Sequence, residues 1–255
     1  MIFYLGTNEP AWLPRTDVPL FLSRRRLARR RALPRARGLW ALDSGGFTEL
    51  SLHGAWQTVP TQYVGEVRRW RDEIGGLAWA SIQDWMCEPW IVEKTGKSVA
   101  QHQSLTLDSF ARLLDLAPDL PWVPVIQGWH EDEYRAHVDA YVARRLPLWD
   151  RPVGVGSICR RQTLGGGARI VRQLSRLGLQ LHGFGLKFSG LAALHGLLAS
   201  ADSLAWSFRA RNAGRQPGCT HATCQNCLRF ALRWRDRVRA TYWNPAQTDL
   251  FTPTP

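Results

Sequence analysis

Cys219, His221, Cys224 and Cys227 fall within nine residues near the end of the chain, in the pattern C-x-H-x2-C-x2-C. Three soft thiolates and one imidazole at this spacing suit a tetrahedral zinc ion. With all four bound, no position stays open for water, so the zinc is expected to be structural and to pin the helix that follows Cys227. A second group has a different chemistry. Asp43-Ser44-Gly45-Gly46-Phe47 closes an apolar segment with a carboxylate, a hydroxyl, two glycines that let a ligand approach the backbone, and an aromatic face. Asp84 and Asp202 also sit in or beside apolar runs, where an acid is costly unless it is paired or used. Three such carboxylates converging on one face would make an acid/base site.

Bringing them together requires a particular frame. Eight short β-rich segments are read at 2–6, 18–23, 39–45, 77–84, 122–128, 152–158, 179–186 and 202–207. Between them, apolar residues recur at three- and four-residue spacing over 61–74, 98–116, 131–146, 167–177 and 191–200. Strands alternating with helices imply parallel pairing and right-handed crossovers. The expected fold is α/β, a single (β/α)8 TIM-type barrel over 1–210. A zinc-binding segment and C-terminal helix over 211–243 would pack on it, followed by a flexible tail at 244–255. The first two crossovers are short. In such a barrel the functional side chains sit at the C-terminal ends of strands. That selects Asp43, Ser44, Gln83, Asp84, Gln127 and Ser157, with His182 and Lys187 flanking the seventh segment and Asp202 opening the eighth.

A length of 255 residues, 45% of them hydrophobic and 13 of them Trp, is ample for one barrel core. No apolar run reaches the ~20 residues that cross a bilayer, and the N-terminus lacks a signal-peptide pattern, so an intracellular, cytoplasmic protein with no membrane partner is expected. Clustered cysteines in a reducing compartment argue for metal rather than disulfides, with Cys87 and Cys159 as ordinary buried thiols. The net charge of +12 points to a polyanionic partner. Arginine supplies nearly all of it, most densely over 23–37, where eight arginines occur in fifteen residues. Arg24, Arg25, Arg26, Arg29 and Arg30 are the candidates for holding a phosphate backbone.

The ordered motifs DSGGF at 43–47, QD at 83–84, VIQG at 125–128, GVGS at 154–157, HGFG at 182–185 and the late Cys/His cluster resemble the guanine transglycosylases that exchange a base in tRNA. The resemblance is nearer to their shorter DpdA-type relatives, which insert 7-deazaguanines into DNA. It implies a zinc-bearing barrel that breaks a guanine N-glycosidic bond and installs a modified base such as 7-cyano-7-deazaguanine. Asp202 would be the covalent nucleophile and Asp43 an acid/base or base-orienting group. Ser44 and Phe47 would touch the base, Asp84 and Gln127 would read its hydrogen-bonding edge, Gly156 and Ser157 would supply backbone contacts, and His182 would pack against the ring. The implied partners are DNA, a free 7-deazaguanine base and accessory proteins that open the duplex. Two departures stand out: ADSLAWS replaces the family's D-x-F-D pattern, and His221 replaces the second cysteine of its C-x-C-x2-C. A tRNA substrate, base excision by water, and a non-catalytic nucleic-acid-binding subunit are the alternatives.

Overall fold

The computed structural model describes residues 1–159 and 165–242; the expected tail at 244–255 lies outside them. Nine strands form one sheet: β1 (Ile2–Thr7), β2 (Leu20–Ser23), β3 (Trp40–Asp43), β4 (Leu77–Ser81), β5 (Trp122–Val123), β6 (Val125–Ile126), β7 (Pro152–Val155), β8 (Gln180–Gly183) and β9 (Ser200–Ser203). Their order is β5-β4-β3-β2-β1-β9-β8-β7-β6, with parallel pairing between neighbours.

The two ends of that order are consecutive in the chain, parted only by Pro124. Proline has no N–H to give to a ladder, so one stave is split in two. On one side, the Val123 carbonyl accepts from Ile82 N–H at 3.2 Å; on the other, the Pro124 carbonyl accepts from Gly154 N–H at 2.8 Å. The sheet thereby closes, and β5 with β6 count as one of eight staves. This is the expected α/β barrel.

Helices follow most strands. Pro60–Ile74 and Val99–Leu116 are the longest before the middle of the chain, and the latter starts at a reciprocal cap. Ser98 Oγ accepts the Gln101 N–H at 3.2 Å while Gln101 Oε1 accepts the Ser98 N–H at 2.8 Å, as the Ser-x-x-Gln spacing allows. The first crossover holds only the 3-10 turn Pro10–Arg15, and the second only the four-residue helix Arg24–Leu27 with its loop.

Alternation along the strands sends Phe3 and Leu5 outward under the helices and Tyr4 inward. Tyr4, Ala41, Trp79 and Val123 fill the barrel interior with Phe21 and Phe184 against them. Trp79 Nε1 donates to the Tyr4 hydroxyl at 3.0 Å, satisfying the buried indole.

The eighth stave corrects the expected segment. It spans Ser200–Ser203 rather than 202–207, and Leu204 to Trp206 turn into the helix Ala205–Asn212. Apolarity misplaced it because the strand reads Ser-Ala-Asp-Ser, while the conspicuous Trp206 packs outside, donating from Nε1 to the Gly6 carbonyl at 2.8 Å. Asp202 therefore stands near the C-terminal end of its strand instead of opening it.

Candidate active site

The strand ends open into a cavity of about 210 Å³. Its lining includes Asp43, Asp84, Glu88 and Asp202, with Gln127, Gly156, Ser157 and Cys159 on one wall and Phe21, Phe47 and Phe184 supplying apolar surface. The structure thus brings the three expected carboxylates together and adds a fourth, Glu88.

Asp43 ends β3 beside Ser23 of β2, its register partner. Burial pushes its carboxyl above the ordinary range, hydrogen bonds from the Ser23 hydroxyl and the Gly45 amide oppose this, and the charge of Asp202 adds to it. Gly45 has φ +81, a left-handed turn that suits glycine and starts the helix Gly46–His53, on which Phe47 rides half exposed. Ser44 is buried and does not line the cavity.

Asp202 is 4% exposed. Its Oδ1 accepts the Gly185 N–H at 2.8 Å and lies 3.4 Å from His182 Nε2. His182 Nδ1 in turn is 2.8 Å from Ser200 Oγ. His182 is fully buried in the barrel interior, with its ring 4.7 Å from Trp79 and 4.8 Å from Phe184. It is not among the cavity-lining residues: its place on β8 points it at the carboxylate of β9, and Phe184, two residues on, lines the cavity.

Gln127 is fully buried behind Gly156. A Cβ at position 156 would lie 2.2 Å from Gln127 Nε2, so only glycine leaves room for the amide. The Gln127 backbone N–H donates to His137 Nδ1 at 2.8 Å and its carbonyl accepts from Gln103 Nε2 at 2.8 Å. From this fixed position Nε2 donates to Asp84 Oδ2 at 2.5 Å, and Oε1 lies 2.7 Å from Ser157 Oγ. Ser157 Oγ also lies 2.8 Å from Glu88 Oε2 and accepts the Cys87 N–H at 3.0 Å. Ser157 holds φ +55, a left-handed conformation that costs a serine about 1–3 kcal/mol and that clusters at functional sites. Burial pushes the Asp84 carboxyl up to about 7; the Gln127 hydrogen bond opposes this, and the charges of Asp43 and Glu88 add to it.

Glu88, Phe21, Phe184 and Cys159 were not among the expected site residues. Glu88 lies in the loop four residues beyond Asp84, where no strand-end rule reaches it. Cys159, expected to be a buried thiol, is only half buried and lines the cavity.

A basic groove adjoins the cavity. Arg25, Arg26 and Arg29 line it with Thr48 and His53, and Arg25 Nη1 donates to Thr48 Oγ1 at 3.0 Å, next to cavity-lining Phe47. Arg24 lines the same groove but is largely buried, with Nε 2.6 Å from Glu66 Oε2 and Nη1 3.3 Å from Glu49 Oε1, so that it also ties its helix to two others. Arg30 is exposed outside the groove lining.

The sulfur and nitrogen atoms of Cys219, His221, Cys224 and Cys227 all lie within 4.8 Å of one another. Cys219 Sγ is 3.9 Å from both Cys224 Sγ and Cys227 Sγ, close to the ~3.8 Å between ligands of a tetrahedron with 2.3 Å Zn–S bonds. Arg229 Nη2 donates to Cys219 Sγ at 2.9 Å and the Gln216 N–H to Cys224 Sγ at 3.3 Å, the outer donors a thiolate cluster needs. The cluster could hold a metal ion such as zinc. Cys224 and Cys227 are packed into the main core with Phe230 and Trp234.

Among the described residues no helix is long and apolar enough to cross a membrane. A search of curated proteins gives no match. A family model described as DpdA, DeoxyPurine in DNA protein A, matches residues 1–252. A match over nearly the whole length places the chain in the DpdA family of the guanine transglycosylase type, whose name ties it to DNA.

Proposed function

We propose that this protein exchanges guanine in DNA for a 7-deazaguanine base through a covalent intermediate on Asp202. The observation that carries the reading is the facing of Asp43 and Asp202 across one base-sized cavity, with the Asp84 carboxyl on its wall.

Asp202 is held at Oδ1 by Gly185 and His182, leaving Oδ2 to attack C1′ of the deoxyribose. The O–C1′ bond forms as C1′–N9 breaks, and the bonding pair leaves with guanine. Asp43, whose burial favours its protonated form, delivers the proton that makes guanine a leaving group. In the return step N9 of the incoming base attacks C1′, its proton passes to Asp43, and Asp202 departs. Two displacements give overall retention, the logic of retaining glycosidases. Asp84 accepts from the N–H edge of the base, Gln127 holds Asp84 in place, and Phe21, Phe47 and Phe184 enclose the ring.

A stacked guanine must be flipped out to reach the cavity. Arg25, Arg26 and Arg29 lie beside the mouth to hold the backbone while that happens. Zinc on the Cys/His cluster is structural, fixing the helix Leu228–Tyr242 to the barrel. Nucleoside analysis after coexpression with a source of 7-cyano-7-deazaguanine tests the substrate. The modified base should appear in DNA and vanish with Asp202→Asn; its appearance in tRNA alone would overturn the choice of DNA.

A further inference from the structure

Alternation along β9 puts Ser200 and Asp202 on the same face of the strand, and Ser200 is the register partner of His182 on β8. A polar column results. Ser200 Oγ lies 2.8 Å from His182 Nδ1, and His182 Nε2 lies 3.4 Å from Asp202 Oδ1, which also accepts the Gly185 N–H at 2.8 Å. The imidazole between them is fully buried among the rings of Tyr4, Phe21, Trp79 and Phe184, at centroid distances of 4.7–6.0 Å.

The order of protons in this column follows from Ser200. Its side chain is buried, and among the described residues its hydroxyl has no hydrogen-bond partner but His182 Nδ1. A buried hydroxyl proton without an acceptor is costly, so it points at Nδ1, which is then bare. The ring proton therefore sits on Nε2, facing Asp202. A doubly protonated ring would make Nδ1 a donor and strand the hydroxyl proton, and so would a ring protonated at Nδ1 beside a protonated Asp202. Turning the ring over would put carbon at both contacts.

We infer that Ser200 and His182 are positioning residues for the nucleophile that act chiefly when it departs: Ser200 donates to Nδ1, His182 donates from Nε2 to Oδ1, and Oδ2 is the attacking oxygen. This deepens the base-exchange reading and rests on it for its kinetic consequence. Donors on Oδ1 stabilise a carboxylate more than the carbonyl that Oδ1 becomes in the ester. They temper the attack, in which Asp202 loses its charge, and favour the discharge, in which it regains it. In that discharge N9 of the incoming base attacks C1′, the C1′–Oδ2 bond breaks with its electron pair returning to Asp202, and the N9 proton passes to Asp43. The 3.4 Å contact, long for a hydrogen bond, tightens as the charge grows.

Nitrogen NMR of the free protein, labelled at histidine, reads the proton order at about pH 7. His182, identified by the signals lost in His182→Gln, should show a protonated Nε2 and a bare Nδ1. Two protonated nitrogens, or a proton on Nδ1 alone, would overturn the inference. Rapid-quench kinetics with single-stranded DNA and a 7-deazaguanine chase supply a second readout. His182→Leu, which removes the donor, should slow release of the Asp202 adduct by about 10–100-fold and change its formation less, so that adduct accumulates. His182→Gln, whose amide N–H reaches toward Oδ1, should recover much of the release rate. A merely structural imidazole would slow both steps alike; equal slowing, or no change in either step, overturns the inference. Should the wild type form no adduct while the proton lies on Nε2, the base-exchange reading fails and the proton order of the column stands.

Discussion

The Gln127 amide lies against the α-carbon of Gly156, so closely that a Cβ there would be 2.2 Å from Nε2 and 2.6 Å from Oε1. Gly156→Ala must therefore expel the amide from its place between Asp84 and Ser157. The expected result is a loss of about 1–3 kcal/mol in denaturant unfolding, typical of overpacking, together with at least a tenfold weaker affinity for the base. Unchanged affinity would mean that the amide does not hold Asp84 for binding.

Asp43 is assigned the proton that guanine takes on leaving. Asp43→Asn should slow base exchange by about 10²–10⁴-fold in single-turnover assays while sparing DNA affinity. The variant should regain rate with a substrate base whose departure needs no proton, an outcome that a purely structural role would not produce.

The Asp84 carboxyl gives a signed pH dependence. Burial raises it from the ordinary 3.8 to about 7, so the unfolded chain releases the proton first as pH rises. Its contribution to stability is thus fully present below about pH 4 and is lost as pH climbs through about 7. Asp84→Asn should flatten that fall in unfolding measured from about pH 4 to 8. An unchanged slope in that variant would contradict it.

Much of this frame is legible in the sequence, and the exceptions have physical causes. Alternating strand and helix patterns give the barrel because burial on both faces makes parallel strands uniformly apolar. The stave at Ser200–Ser203 escapes that signal: it is short, small and polar, and its neighbour Trp206 belongs to a helix. Asp43, Asp84 and Gln127 are visible as polar residues ending apolar runs. Glu88 is not, since a loop residue gains its place only from the fold that returns Ser157 beside it. His182 and Phe184 alternate along and just beyond β8, and sequence spacing alone does not say which of them faces the cavity and which supports Asp202.

The arginine-rich segment separates two roles by substitution. Arg25→Ala with Arg29→Ala should weaken DNA binding and reduce the slope of log affinity against log salt by about 1–2, leaving the fold intact. Arg24→Ala should instead cost about 1–3 kcal/mol of stability by stranding Glu66 and Glu49. Equal effects of both on salt dependence would contradict the division.

For the Cys/His cluster, purified protein should contain about one zinc per chain. A strong chelator or Cys224→Ser should lower the melting temperature by several degrees and loosen the helix Leu228–Tyr242, seen as faster amide exchange there. Metal-free protein with unchanged melting would remove zinc from the account.

The central claim is the covalent role of Asp202, and trapping tests it most directly. Protein mixed with guanine-containing single-stranded DNA, quenched in acid and digested, should yield a peptide in which deoxyribose is ester-linked to Asp202. A chase with free 7-deazaguanine should discharge that adduct into DNA carrying the new base. An adduct on another residue, or full base exchange by Asp202→Asn, would contradict the mechanism.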